Sequence, residues 1–181
     1  RFPTLTFSSI AATGFGLSAY IVGAERKYIS REQSADRTLK TLNVLWHLPV
    51  GPGKEGISGF HGFYYHFLTL DRAVRYKDVE LSSIDTGLLM AGILSSMSYF
   101  DQDNAVEQSI RAVSDSLYRR VEGNWMLNGS LRLWMGWHPA DGFISAHGKG
   151  YNEAMALLIL AIGAPTHPIP SAAWNTWCAT Y

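Results

Sequence analysis

Four carboxylates stand where this sequence changes character. Glu153 follows the loop "AHGKG" and precedes an unbroken apolar run from Ala154 to Ile162. Glu80 and Asp85 open a second apolar stretch, "VELSSIDTGLLMAG", and Glu55 lies among Gly51, Gly53, Gly56 and Gly59 in "GPGKEGISGF". A carboxylate at a helix mouth has an ordinary explanation, because free N–H groups and the macrodipole favour it there. It also has a chemical one. Paired acids in an aromatic-lined pocket can cleave a glycosidic bond, one protonating the leaving oxygen while the other activates water or attacks the sugar. Glu153 is expected to be the general acid, since the apolar helix behind it disfavours its charged form while the helix dipole acts the other way. Asp85 or Glu80 is then base, nucleophile or sugar-binding partner.

The loops around these acids are rich in aromatic and hydrogen-bonding residues. His61, Tyr64, Tyr65, Trp125, Trp137, Lys149, Tyr151 and Asn152 are candidate substrate contacts, with Glu55. Aromatic faces can pack on the C–H face of a pyranose; His61, His66, Arg72, Asn128 and Lys149 can bind hydroxyls. Tyr151 and Asn152 can orient the Glu153 carboxyl by hydrogen bonding. The structural alternative is that half of the aromatics cap a core and that the "GPGKEGISGF" loop is merely exposed.

Other chemistries find little support. The letters Gly14-Phe-Gly16-Leu-Ser-Ala19 fit a dinucleotide fingerprint, but no strand precedes them. The six His residues have no metal-ligand spacing, HExxH and GxSxG are absent, and Asn128-Gly-Ser130 is a sequon by letters only. No metal or cofactor is expected. A formal net charge of zero and a pI near 7.2 remove the electrostatic reason to expect nucleic acid, and no membrane contact by this domain is expected. The single Cys178 has no disulfide partner within the chain.

The elements that position the acids follow from periodicity. With 181 residues, 47% hydrophobic, the chain can build one sizeable core. Residues 8–24, 80–100 and 151–163 read as helices apolar on nearly every face; 31–47 and 104–121 read as amphipathic, the first opened by the capping box Ser30-x-x-Gln33. Ser8 or Ser9 caps the first helix, Pro49 ends the second, and a further helix starts at Ser171. A helix apolar all round must be covered all round, so the alternation predicts an inner and an outer ring: an all-α fold, part (about half) of an α/α toroid of helical hairpins. The two outer-to-inner links are each about thirty residues, longer than helix connections need, and emerge on the face where the inner helices begin. A hairpin is expected around Leu70-Asp71, with short strands in "NWMLNG" and "RLWMGW". Residues 1–181 form one partial domain. The chain begins with Arg and ends in "WNTWCATY", the first turns of a helix, so it is expected to be a piece of a longer protein.

The stretches "SSIAATGFGLSAYIVGAERKYISREQSADRTLKTLNVLW", "GKEGISGFHGFYYHFL", "ELSSIDTGLL", "DSLYRRVEGNWM" and "GYNEAMALLILAIGAPTHPI" resemble the bacterial glycoamylase-like family over nearly the whole chain. The resemblance implies an (α/α)6 toroid and an acidic pocket formed by Glu153, the Glu80/Asp85 pair and Glu55. It implies a glycoside hydrolase acting on an oligo- or polysaccharide, a β-glucan and most of all β-1,2-glucan. The alternatives are the transglycosylation domain of a cyclic β-1,2-glucan synthase, or a non-catalytic carbohydrate-binding protein on a hydrolase fold. A periplasmic or extracellular location is implied on the same ground.

Overall fold

The structure, a computed structural model, describes residues 6–180. Short strand β1 (Phe7–Ser9) turns directly into α1 (Ile10–Glu25), because the Ser9 hydroxyl accepts from the amides of Ala11 and Ala12 and so caps the helix. After a short turn, α2 (Arg31–His47) starts on the capping box, with the Ser30 and Gln33 side chains reciprocally bonded to each other's backbone. Leu42 and Leu45 on its inner face are buried, and its charges other than Arg31 face outward.

The first long connection is built from strands. β2 (Gly59–Phe60), β3 (Phe63–Tyr65) and β5 (Leu81–Ser82) lie side by side, while β4 (Phe67–Thr69) pairs with β1 instead. The chain reverses after β4, so that Leu68 pairs with Arg75 and the Thr69 amide donates to the Val74 carbonyl at 2.8 Å, the hairpin expected around Leu70-Asp71. β5 runs straight into α3 (Ser83–Tyr99), capped by Ser82. α4 (Ala105–Arg119) follows, capped by Asn104. The second long connection holds α5 (Gly123–Leu127), β6 (Gly136–His138) and β7 (Gly142–Phe143), and the last helices are α6 (Ala154–Ile162) and α7 (Ala172–Cys178).

The molecule is mostly helical, but an antiparallel five-stranded sheet in the order β2-β3-β5-β6-β7 joins the two long connections. This exceeds the isolated hairpins expected of an all-α chain, because its pairings run between loops roughly fifty residues apart in sequence. "NWMLNG" is a helical turn rather than a strand: α5 ends at Asn128, whose left-handed φ of 47° closes it. Two expected helix starts also move. Residues 81–82 are taken by strand pairing, so α3 begins at Ser83 and leaves Glu80 on extended chain; α6 begins at Ala154 rather than residue 151.

The helices form two layers. α3 packs between α1 and α6, while α2 and α4 pack on one another and against α1 and α3. Gly14 of α1 and Gly92 of α3 permit the closest crossing: a Cβ on either would overlap backbone atoms of the other helix. Gly87 likewise admits Leu157 of α6. The burial of Leu89, Met90 and Ile93, at most 2% exposed, contributes about 1.5–3 kcal/mol each. One expectation is met only in part. α1 buries Ile10, Ala11, Gly14 and Leu17, but Phe15 and Val22 stand 65% and 55% exposed on its other side. No helix among the described residues is long and apolar enough to cross a membrane.

Candidate active site

The N-termini of α1, α3 and α6 gather at one end of their layer. Ser9, before α1, donates to Asp85 in the first turn of α3 at 3.0 Å. Ser83 of α3 and Ala154 of α6 line one small cavity. Asp85 is mostly buried, with 13% of its side chain exposed, and both its oxygens are engaged. Oδ1 accepts from Ser9, and Oδ2 accepts from the Ser82 hydroxyl at 2.7 Å. The Ser82 hydroxyl in turn accepts from the Asp85 amide at 3.1 Å, so the serine, not the aspartate, caps α3.

Glu80 and Asp85 lie five residues apart and share no helix face. They meet nonetheless, through His66. Its Nδ1 lies 2.8 Å from Glu80 Oε1 and its Nε2 lies 3.6 Å from Asp85 Oδ2. The ring stacks on Phe67 with centroids 3.9 Å apart. The backbone sets this geometry: the His66 amide donates to the Glu80 carbonyl at 2.9 Å and the His66 carbonyl accepts from the Ile10 amide at 3.1 Å. The hydrogen bond from His66 holds the Glu80 carboxyl below the usual carboxylate range, against the opposing effect of burial. His138 adds in the same direction; its Nδ1 lies 3.2 Å from Arg75. Gly136 permits this closeness, since a Cβ there would press on the Leu81 carbonyl and the Glu80 side chain.

Glu153 stands exposed at the mouth of α6 and makes no capping bond. The capping role falls to Asn152, whose Oδ1 accepts from the Ala154 amide at 2.9 Å while its Nδ2 donates to the Lys149 carbonyl at 2.8 Å. The expectation that Asn152 orients the Glu153 carboxyl is therefore corrected: its amide group serves the local turn. Tyr151 is 74% exposed and Lys149 is exposed beside it.

The aromatic candidates divide. His61, Trp125 and Trp137 remain half-buried in a wall on one side of the sheet. His61 stacks on Trp125 at 4.4 Å, and Phe60 touches both Trp125 and Trp137, with Phe143 closing the cluster against Trp125 at 5.0 Å. His61 Nδ1 lies 2.8 Å from Glu122. Tyr64 and Tyr65 are corrected. Both are fully buried on β3, an inner strand flanked by β2 and β5. The Tyr64 hydroxyl donates to the Leu45 carbonyl at 3.0 Å and accepts from Arg120, and burial raises its pKa. Tyr65 lies under the Arg75 guanidinium at 4.7 Å. Neither presents a face to a sugar. Glu55 sits on the rim of a groove of about 730 Å³ that also involves Arg75, His138 and Asp141. Glu122, Arg75 and His138 were not singled out by sequence; each lies in a long connection without periodic signal.

Comparison with known proteins places this geometry. Residues 146–181, which include Glu153 and α6, match the glycoamylase family described as "Putative glucoamylase". An exo β-1,2-glucooligosaccharide sophorohydrolase (non-reducing end) of Parabacteroides distasonis is 32% identical over 93% of this chain, which spans 23% of that protein. An endo-β-1,2-glucanase of Chitinophaga pinensis, solved with sophorotriose and glucose, superimposes with a TM-score of 0.85 at 30% identity, over 98% of this chain and 42% of its own. A "putative glucoamylase" of Bacteroides uniformis does so with a TM-score of 0.86 at 28% identity, over 98% and 42%. The chain thus spans less than half the length of these relatives. Sequence and fold agree on one likeness: the chain resembles the glycoamylase-like family.

Proposed function

We propose that this chain supplies one part of the active site of a glycoside hydrolase that acts on β-glucan, with β-1,2-glucan as substrate, by carboxylate general acid/base catalysis. Glu153 is the general acid. Asp85, with Glu80 beside it, is the base, nucleophile or sugar-binding partner. The observation that carries the reading is the free Glu153 carboxyl: the ordinary reason for a glutamate at a helix mouth is capping, and here Asn152 caps the helix. The substrates named for the relatives, sophorotriose and β-1,2-gluco-oligosaccharides, support the substrate class. The His61, Trp125 and Trp137 wall, with Lys149, Tyr151 and Glu55, offers sugar contacts. In this reading α1, α3 and α6 belong to the inner ring of an (α/α)6 toroid and α2 and α4 to its outer ring. The periplasm or the extracellular space is the matching location.

The test is Glu153→Gln in the full-length enzyme on linear β-1,2-glucan, read by reducing-sugar release with binding measured in parallel. Turnover should fall about a hundredfold or more with folding intact, the usual size of a general-acid contribution. Near-normal turnover would remove Glu153 from the chemistry. Binding without cleavage by the parent protein would make this a carbohydrate-binding protein.

A further inference from the structure

Among the described residues His66 touches both acids of the Glu80/Asp85 pair, and its ring stacks on that of Phe67. Its position is over-determined. Backbone bonds tie it to Glu80 and to the first residue of α1, and the Ser9 hydroxyl that caps α1 is the same group that holds Asp85. The result is a chain of contacts from Glu80 through His66 to Asp85, closed by serine hydroxyls from the mouths of two helices. An imidazole with a carboxylate at each nitrogen fixes the orientation of both, and the hydrogen bond from His66 is what holds the Glu80 carboxyl below its usual range. Among the described residues it faces Glu80 and Asp85, and His138, beside Arg75, acts on the same Glu80 carboxyl.

We propose that His66 is a positioning residue of the hydrolase: bridging Glu80 and Asp85, it holds the two carboxyl groups side by side and oriented, so that Glu153 is left as the carboxyl that delivers a proton. The proposal rests on the reading of the site as that of a hydrolase.

The experiment uses the full-length enzyme and linear β-1,2-glucan. His66→Gln should lower kcat about tenfold or more and change KM less than threefold, since the bridge orients acids rather than binding bulk substrate. The acid limb of its kcat/KM profile should move to higher pH by about one unit, as Glu80 loses the hydrogen bond that holds its carboxyl low. An unchanged kcat and pH profile in a folded His66→Gln enzyme would overturn the proposal. A second readout needs neither turnover nor a stable His66 variant: the imidazole nitrogen resonances of His66 in the parent and in Glu80→Gln. Resonances at pH 7 that shift in Glu80→Gln support the bridge; resonances unchanged by Glu80→Gln overturn it. A parent that cleaves no β-glucan would sink the hydrolase reading by itself, while the resonances would still report whether the bridge exists.

Discussion

Within their layer α2 and α4 are joined by a buried ion pair, whose removal has a calculable cost. Glu107 in the first turn of α4 has only 3% of its side chain exposed. Arg31, in the first turn of α2, donates to both its oxygens, Nε to Oε1 at 2.9 Å and Nη2 to Oε2 at 2.8 Å, and the Gln102 amide donates to Oε2 at 2.9 Å. The same guanidinium reaches the Tyr99 carbonyl at 2.8 Å and so ties in the end of α3. The Arg31 bonds, against the opposing effect of burial, hold the Glu107 carboxyl at about 2. Relative to its ordinary 4.5, that corresponds to at most about 3 kcal/mol of stability at neutral pH. Glu107→Gln keeps the shape, loses the charge and turns an amide donor toward the guanidinium. With a urea dependence of about 3 kcal/mol per molar, the unfolding midpoint should fall by about 1 M at pH 7. The sign in pH follows from the direction. A carboxyl that titrates lower when folded contributes in full above about pH 5 and loses that contribution as pH falls toward 2. The gap between parent and Glu107→Gln, followed by far-ultraviolet circular dichroism of the full-length protein, should therefore shrink to less than half by pH 3. Equal midpoints at pH 7, or a gap as large at pH 3 as at pH 7, would refute the reasoning.

Other outcomes follow from the same structure. Asn152→Ala should cost about 1 kcal/mol in urea unfolding as a lost cap, whereas Glu153→Ala should stay within about 0.5 kcal/mol; a larger loss at Glu153 would return it to a structural role. Gly92→Ala should destabilise by about 2 kcal/mol despite its better helix propensity, since its methyl meets the Gly14 backbone, which cannot swing aside; an unchanged Tm would count against the tight crossing. Trp125→Ala should raise KM for long β-1,2-glucan about tenfold with kcat largely retained, and an unchanged KM would remove the wall from the binding surface. The 181 residues expressed alone expose Phe15, Val22 and Ile159 at 53–65% and should self-associate; a sharp monomer in sedimentation velocity would contradict this.

Much of the scaffold was legible because it is local. The Ser30/Gln33 capping box, the amphipathic α2 and α4 and the apolar bodies of α1, α3 and α6 are written in residues within a few positions of one another, and periodicity reads them directly. Which helices neighbour which also followed, since a helix without a polar face needs cover. The strands were less legible. Segments of two or three residues carry too little alternation, and β5 becomes a strand only because β3 and β6 flank it. That pairing also moved the start of α3 and put Glu80 on extended chain, where its side chain could turn toward His66.

The site divides along the same line. Sequence by itself singled out candidate acids, because a carboxylate before an apolar helix breaks a pattern, and it expected Glu153, Glu80 and Asp85 at helix mouths, whereas the structure leaves Glu80 on extended chain. It could not rank them, since capping and catalysis ask for the same residue at the same position; only the three-dimensional hydrogen bonds gave the cap of α6 to Asn152 and the cap of α3 to Ser82. Nor could it separate a sugar platform from a core aromatic. Tyr64 and Tyr65 have the same chemistry as a binding-site tyrosine, and their burial comes from β3 being covered on both edges, by its hairpin partner β2 and by β5. His66 is the clearest case. Nothing in its neighbours marks it, and its place between two carboxylates exists only once β4, the chain before β5 and the first turn of α3 fold together, because contacts across the sheet and between helix ends depend on register rather than on sequence spacing.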